Sequence, residues 1–104
     1  MIRVVLVDDH ELVRAGFRLI LAGQSDIEVA GEAGNAEDGL RLIRAHKPDV
    51  ALVDVHMPGM SGLELTERVR RAELPTRIVI LTVVDDARFP RRLLQTGALG
   101  YLTK

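Results

Sequence analysis

Apolar residues in this chain form short runs that alternate with segments of helical spacing. Four of the runs are rich in β-branched residues and have the length of strands in a buried sheet. They are Ile2 to Val7, Ile27 to Ala33, Val50 to Val53 and Ile78 to Leu81, and a fifth, shorter strand is predicted over Gly100 to Leu102. Gly31 interrupts the second run, and Glu28 and Glu32 alternate with its apolar residues, which is typical of an edge strand.

Between these runs the apolar residues recur at the spacing of amphipathic helices. The first helix is predicted to begin after His10 and to end at Gly23. Its core-facing stripe is predicted to be Val13, Gly16, Phe17, Ile20 and Leu21, with Glu11, Arg14 and Arg18 facing solvent. Asn35 resembles the N-cap of a second helix, which continues to about His46. The segment Ser61-Gly-Leu-Glu64 matches the capping-box pattern and opens a third helix.

A fourth helical segment contains Pro90, which costs about 3 kcal/mol inside a helix. That helix is therefore predicted to start near Phe89 or Pro90, with the proline in its first turn. Strand and helix then alternate five times with the last helix missing, which predicts one α/β domain with a parallel sheet and right-handed crossovers. No helix remains to cover the sheet beside the first helix, so we expect an apolar face that is exposed or covered by a partner chain.

Charge and composition narrow the range of partners. The 104 residues include 14 basic and 15 acidic side chains, for a formal net charge of -1, and no cysteine. The near balance gives no electrostatic argument for nucleic-acid binding by this segment, and disulfides are excluded. The N-terminal apolar run is too short to be expected to act as a signal peptide, and no apolar segment approaches membrane-spanning length. We therefore expect a cytoplasmic protein without membrane association.

Polar residues follow four of the apolar strands. They are Asp8 and Asp9 after the first, Asp54 after the third, Thr82 after the fourth and Lys104 after the fifth. The carboxyl ends of parallel strands meet at one edge of the sheet, where ligands collect. Close carboxylates repel one another unless a cation lies among them or a proton is taken up. Oxygen ligands favour a hard ion such as Mg²⁺, and His10 and His56, which lack metal-ligand spacing, are interpreted as loop residues.

This set of residue types suits phosphoryl transfer. A carboxylate beside Mg²⁺ is a competent nucleophile toward phosphorus, and Asp54 is the candidate. The transferred group carries charge on three oxygens and needs donors, which the Thr82 hydroxyl, the Lys104 ammonium and backbone N–H groups after Asp54 would provide. Taken singly, each residue has an ordinary reading: Asp8-Asp9 as a helix cap, Thr82 as a strand-end hydroxyl and Lys104 as an exposed tail. Their joint placement at strand ends favours a site.

Four motifs in this chain occur together in a known family. They are Val-Asp-Asp-His at 7–10, Val-Asp-Val-His-Met-Pro-Gly-Met-Ser-Gly at 53–62, Ile-Leu-Thr at 80–82 and Gly-Tyr-Leu-Thr-Lys at 100–104. In order and spacing they resemble the receiver domains of two-component response regulators. Two longer segments further resemble the NarL/FixJ subfamily, which carries a LuxR-type output domain, and in particular its GacA/UvrY-like members. These segments are Asp-Asp-His-Glu-Leu-Val-Arg-Ala-Gly and Thr-Gly-Ala-Leu-Gly-Tyr-Leu-Thr-Lys.

The resemblance implies a flavodoxin-like (CheY-like) doubly wound sheet of five parallel strands in the order 2-1-3-4-5, without a fifth helix. Residues 1–104 would be the receiver domain, truncated after strand 5, and the helix-turn-helix output domain of the parent protein would be absent. A receiver catalyses its own phosphorylation and dephosphorylation and is not a dedicated enzyme. DNA would be bound only through the absent output domain.

For the site residues, the resemblance implies that Asp54 accepts phosphate from a sensor histidine kinase. Mg²⁺ would be held by Asp9, Asp54 and the backbone carbonyl of His56, with Asp8 acting mostly through water. Thr82 and Lys104 would contact the phosphate. Phosphorylation would switch dimerisation and DNA-binding output. The switch residues would be Thr82 and Tyr101, which turn inward together. The resemblance also implies a homodimer, for which the uncovered face is a candidate interface.

Two alternatives stay open at this point. One is a pseudo-receiver, an unphosphorylated scaffold with the same fold. The other is a phosphatase of the haloacid-dehalogenase kind, which also forms an aspartyl phosphate. That class requires Asp-x-Asp on one strand, whereas Asp54 is followed by Val55 and His56 and the paired acids follow another strand.

Overall fold

The computed structural model describes residues 1–55, 57–82 and 100–103, with backbone only for Thr82 and residues 100–103. Its elements are β1 (Ile2–Val7), α1 (Glu11–Ala22), β2 (Ile27–Ala33), α2 (Ala36–His46), β3 (Val50–Asp54), α3 (Gly62–Arg71), β4 (Arg77–Thr82) and β5 (Gly100–Thr103). All five predicted strands and three predicted helices are present with ends within about two residues of the prediction. The predicted fourth helix near Phe89 lies outside the described residues. Within the described ranges, no helix has the length and apolarity to cross a membrane.

The five strands form one parallel sheet in the order β2-β1-β3-β4-β5. The predicted order is therefore confirmed, and β2 is an edge strand as its glutamates indicated. The register between β1 and β2 shifts at Gly31, because Val4 pairs with Val29 whereas Val5 pairs with Gly31. The central position of β1 and β3 brings the carboxyl ends of these two strands together, which is what places the site.

One face of the sheet is covered by α2 and α3 and holds the larger core, in which Ile43, Leu65 and Ile80 are fully buried. The first turn of α2 is capped as predicted, since the Asn35 side chain accepts a hydrogen bond of 2.8 Å from the Asp38 backbone N–H. A Cβ at Gly39 would lie 2.8 Å from the Val7 methyl carbons. The absence of a side chain there allows α2 to approach β1 closely.

The opposite face carries α1 and holds a smaller core. Its buried residues are Val4, Leu6, Leu52 and Leu81. The predicted uncovered apolar face concerned the part of the sheet beside α1, and there the prediction is wrong at Leu52 of β3 and Leu81 of β4, which are both buried. Two side chains of α1, Phe17 and Leu21, pack against this cluster and account for part of the cover. The strand residues Val50 and Val79 beside them are only half-buried.

The orientation of α1 differs from the predicted stripe in two respects. Gly16 is exposed and Ile20 is 66% exposed, although both were predicted to face the core. Conversely, Arg14 was predicted to face solvent, but its side chain is only 19% exposed. The helix contacts the sheet mainly over β2. The apolar side of α1 is therefore wider than the part of the helix that contacts the sheet. Arg14 is drawn inward by a polar partner just after β1 and another on β2, both described below.

Candidate functional site

Asp8 occupies the first position after β1 and points into the protein. Its backbone N–H donates to the Ala33 carbonyl oxygen at 3.1 Å, which extends the pairing with β2 by one residue. The residue is 2% exposed, and its Oδ1 accepts a 2.9 Å hydrogen bond from the His10 backbone N–H. The chain therefore turns tightly after the strand, and α1 begins immediately after His10.

Asp54 is the last residue of β3 and is 3% exposed. The Val55 backbone N–H continues the pairing with β4 by donating to the Leu81 carbonyl oxygen at 3.1 Å. The chain then returns to the same point, because the Gly62 N–H donates to the Val55 carbonyl oxygen at 3.2 Å. A Cβ at Gly62 would overlap the carbonyl oxygen of Asp54. The start of α3 thus lies against the main chain of Asp54, and only glycine fits there.

The structure brings together Asp8, Asp9, His10 and Asp54. One ligand atom from each of the four lies within 4.8 Å of all the others. The His10 Nδ1 is 3.0 Å from an Asp9 carboxylate oxygen and 3.3 Å from Oδ1 of Asp8. Ligands at adjacent corners of an octahedron around Mg²⁺ are about 3 Å apart, given metal–oxygen distances of about 2.1 Å. Three carboxylates in this space therefore fit a small, hard divalent cation.

His10 was interpreted from the sequence as a loop residue, and it does lie in the loop between β1 and α1. Its imidazole also lies against the two acids, which was not predicted. The side chain is 66% exposed, so it forms the outer border of the acidic cluster. The signal available in the sequence was its position directly after Asp8-Asp9, which places it at the same strand end. The histidines were not predicted to lie near a metal site because they lack the regular spacing of metal ligands. Such spacing is not required when the tertiary structure brings the ligands together.

For two of the remaining predicted site residues, Thr82 and Tyr101, the structure describes the backbone position. Thr82 ends β4, one residue beyond Leu81, the partner of Asp54 in the sheet, so its backbone is at the same edge as the acids. Tyr101 pairs with Ile80 in β5. His56 and Lys104 lie outside the described residues, and their predicted roles stay predictions.

The loop after Asp54 is also held by α2. Glu37 in the first turn of that helix accepts a 3.3 Å hydrogen bond from the Met60 backbone N–H. Gly59 in the same loop has φ of 77°, a left-handed conformation that favours glycine. The predicted turn at Pro58-Gly59 is therefore present, and α3 begins with its predicted cap, in which the Ser61 hydroxyl accepts from the Glu64 N–H at 3.2 Å.

Comparison with known proteins assigns the family. Residues 4–104 match the family model described as the response regulator receiver domain. The chain belongs to this family. The receiver domain is 48% identical over all 104 residues to the response regulator GacA of Pseudomonas aeruginosa, of which it covers 49%. It is 47% identical to the response regulator UvrY of Escherichia coli K12, of which it covers 48%. The chain thus spans about half the length of these relatives.

Solved structures agree with this assignment. The signal receiver domain of the response regulator NarL from Mycobacterium tuberculosis superimposes with a TM-score of 0.95 at 43% identity, over 98% of this chain and 82% of that one. A two-component response regulator of the LuxR family from Aurantimonas sp. SI85-9A1 gives a TM-score of 0.92 at 36% identity, over 98% of this chain and 73% of that one. The receiver is therefore of the GacA, UvrY and NarL type.

Proposed function

We propose that this receiver domain accepts a phosphoryl group on Asp54 from a sensor histidine kinase. The observation that carries the proposal is the convergence of Asp54 with Asp8 and Asp9 at the carboxyl ends of the two central strands. A carboxylate nucleophile for phosphorus needs a cation close by, and the two neighbouring acids supply ligands for one. The family assignment supports the receiver over the haloacid-dehalogenase phosphatase.

In the proposed transfer, a carboxylate oxygen of Asp54 attacks the phosphorus of a phosphohistidine on the kinase. A P–O bond forms as the P–N bond breaks, and the imidazole leaves with the bonding electron pair and takes up a proton. Hydrolysis later returns the aspartate and inorganic phosphate. The domain catalyses both steps on itself and is not a dedicated enzyme. Thr82 and Lys104 keep their predicted role as donors to the phosphoryl oxygens.

Asp9 and Asp54 would hold Mg²⁺ directly, with the backbone carbonyl of His56 as the third protein ligand and Asp8 acting through water. When bound, the ion offsets the negative charge that develops on the phosphoryl oxygens. Asp9 is suited to direct ligation because its side chain is 28% exposed, so it can reach both the ion and solvent. Asp8, with a side chain 3% exposed, is fixed by the His10 N–H and orders the turn.

Phosphorylation would control the output of a longer parent protein. It adds about 1.5 to 2 negative charges at the sheet edge, which would bias Thr82 and Tyr101 between two arrangements and so alter dimerisation. The similarity to a LuxR-family response regulator supports an output domain that binds DNA. The length of GacA and UvrY, about twice that of this chain, supports the presence of such a further domain. The cytoplasmic location stays a prediction from composition.

Beryllofluoride tests the proposal, because it forms an acyl-phosphate mimic on an aspartate. We expect beryllofluoride with Mg²⁺ to shift the backbone amide NMR signals of Asp54, Thr82 and Tyr101. Asp54→Asn, which keeps the side-chain shape but removes the nucleophile, should abolish the shifts. Asp26→Asn is the matched control, because Asp26 is an exposed acid at the start of β2, on the opposite edge of the sheet.

Two results would contradict the proposal. Unchanged spectra at millimolar reagent would indicate the pseudo-receiver, a scaffold without a working acceptor. Equal shifts in the original chain and in Asp54→Asn would place the acceptor on another residue. Phosphoramidate in place of beryllofluoride, followed by mass spectrometry, would then identify the modified side chain.

A further inference from the structure

Arg14 projects from α1 toward the acidic site although the sequence pattern assigned it to solvent. Its backbone lies one helical turn after the β1–α1 turn, and its N–H donates to the His10 carbonyl oxygen at 3.1 Å. The guanidinium Nη1 donates to the backbone carbonyl oxygen of Asp8 at 2.5 Å. Arg14 therefore contacts the main chain of the residue that begins the metal site, and it does so from a largely buried position.

Glu32 on the neighbouring strand β2 orients this guanidinium. Oε1 of Glu32 lies 3.4 Å from Arg14 Nε, an ion pair that does not have the geometry of a hydrogen bond. The second oxygen of the same carboxylate is 2.5 Å from Arg18 Nη1. Because Glu32 pairs with Leu6 of β1 in the sheet, its backbone is fixed relative to Asp8. The guanidinium is thus held between two adjacent strands.

We infer that Arg14 is a positioning residue for the metal site, acting through the main chain of Asp8. The inference rests on the proposed function. The carboxylates of Asp8 and Asp9 reach Asp54 only if the turn after β1 keeps its path, and the carbonyl oxygen of Asp8 is bound by a side chain at that turn. A planar guanidinium can donate to this oxygen while facing Glu32, which an ammonium on a flexible stem cannot do as well.

The direction in which Mg²⁺ affinity changes when Arg14 is replaced distinguishes a positioning role from a purely electrostatic effect. Arg14 is a cation close to a site for a cation, so Coulomb repulsion alone predicts that its removal strengthens Mg²⁺ binding. Loss of positioning predicts the opposite. If Arg14 only anchors α1 to the sheet, its replacement should lower stability without reducing Mg²⁺ affinity. The three explanations therefore differ in the direction of one measured quantity.

The experiment measures the dissociation constant for Mg²⁺ by calorimetry, and thermal unfolding without Mg²⁺, for four variants. Arg14→Gln should weaken Mg²⁺ binding about tenfold, the effect typical of groups that orient metal ligands. Arg14→Lys should show a smaller loss. Arg18→Gln, which removes an equal charge from the same helix and the same carboxylate, should stay within about twofold of the original chain. Ile43→Val, a buried change on the other face, should lower the melting temperature by a few degrees without altering Mg²⁺ affinity.

The outcomes distinguish this inference from the proposed function. If the original chain does not bind Mg²⁺, the proposed function fails. If it binds and Arg14→Gln binds equally or more tightly, the positioning role is overturned. If circular dichroism shows that Arg14→Gln is unfolded, Arg14→Lys decides, and an affinity equal to that of the original chain overturns the role. A loss in Arg18→Gln as large as that in Arg14→Gln would also contradict it, because the two share only charge and Glu32.

Discussion

At the scale of single residues, the site depends on a position with no side chain. Gly62 is the first residue of α3, and its backbone lies against the carbonyl oxygen of Asp54. A methyl group there would meet backbone atoms, which cannot rotate away as a side chain would. The main chain at Asp54 and the start of α3 would therefore have to move apart.

We predict that Gly62→Ala lowers the free energy of unfolding by about 1–3 kcal/mol, the usual range for overpacking. It should also weaken the beryllofluoride response, because Asp54 is displaced. The matched control is Gly16→Ala, since a Cβ at Gly16 has no atom within 4 Å. That change should stabilise the protein by about 0.5–1 kcal/mol through helix propensity. Urea unfolding measures both, and equal effects at the two glycines would contradict the prediction.

At the scale of elements, α1 is bound to the sheet through a narrow strip. Leu21 packs against the smaller core, whereas its neighbour Ile20 is 66% exposed. Leu12 and Leu19 of the same helix are 86% and 75% exposed. The apolar pattern of the helix therefore overstates how much of it contacts β2 and the smaller core.

Two adjacent residues with side chains of equal carbon number test this orientation. Leu21→Ala should destabilise the protein by about 1–2 kcal/mol, less than the loss at a fully buried leucine. Ile20→Ala should change stability by less than about 0.5 kcal/mol, because little apolar surface is buried there. Chemical unfolding of the two variants under the same conditions provides the measurement. A larger cost at Ile20 than at Leu21 would show that the helix is rotated from the described position.

At the scale of the whole molecule, the acidic edge would link the proposed metal binding to folding. The cluster of Asp8, Asp9 and Asp54 exists only when β1 and β3 are paired, so the unfolded chain offers no equivalent site. A ligand that binds only the folded state raises the free energy of unfolding. Well above the dissociation constant, this gain grows with the logarithm of the ratio of ligand concentration to dissociation constant.

Mg²⁺ at a hundred times its dissociation constant should therefore raise the free energy of unfolding by about 2.7 kcal/mol. Asp9→Asn should remove most of this gain, because it removes a charged ligand. Asp26→Asn removes the same charge at the opposite edge of the sheet and should leave the gain unchanged. The measurement is thermal unfolding over a Mg²⁺ titration. A gain that falls equally in both variants would indicate a general effect of charge.

Local patterns in the sequence were sufficient for much of the fold. The strand ends follow from where apolar runs stop, and the cap at Asn35 follows from its own side chain and the N–H of Asp38 three residues later. The acids of the site were also predictable, since the carboxyl ends of parallel strands share one edge. The proximity of His10 to the acids had a signal in the sequence, because His10 directly follows Asp9. The inward path of Arg14 was not predictable, because it also depends on Glu32, which lies on the neighbouring strand β2.

The sequence by itself determined the kinds of element, their order and which acids lie at the carboxyl edge, because each depends on spacing along the chain. Only the tertiary structure decided which side of α1 is buried and which polar groups face inward. Leu21 is half-buried and Ile20 is exposed because of where β2 lies. Arg14 turns inward because the carbonyl oxygen of Asp8, just after β1, and the carboxylate of Glu32 on β2 lie close together there. Asp8 precedes Arg14 by less than two helical turns, but Glu32 is distant in sequence, and pairing of β1 with β2 brings it to the same place.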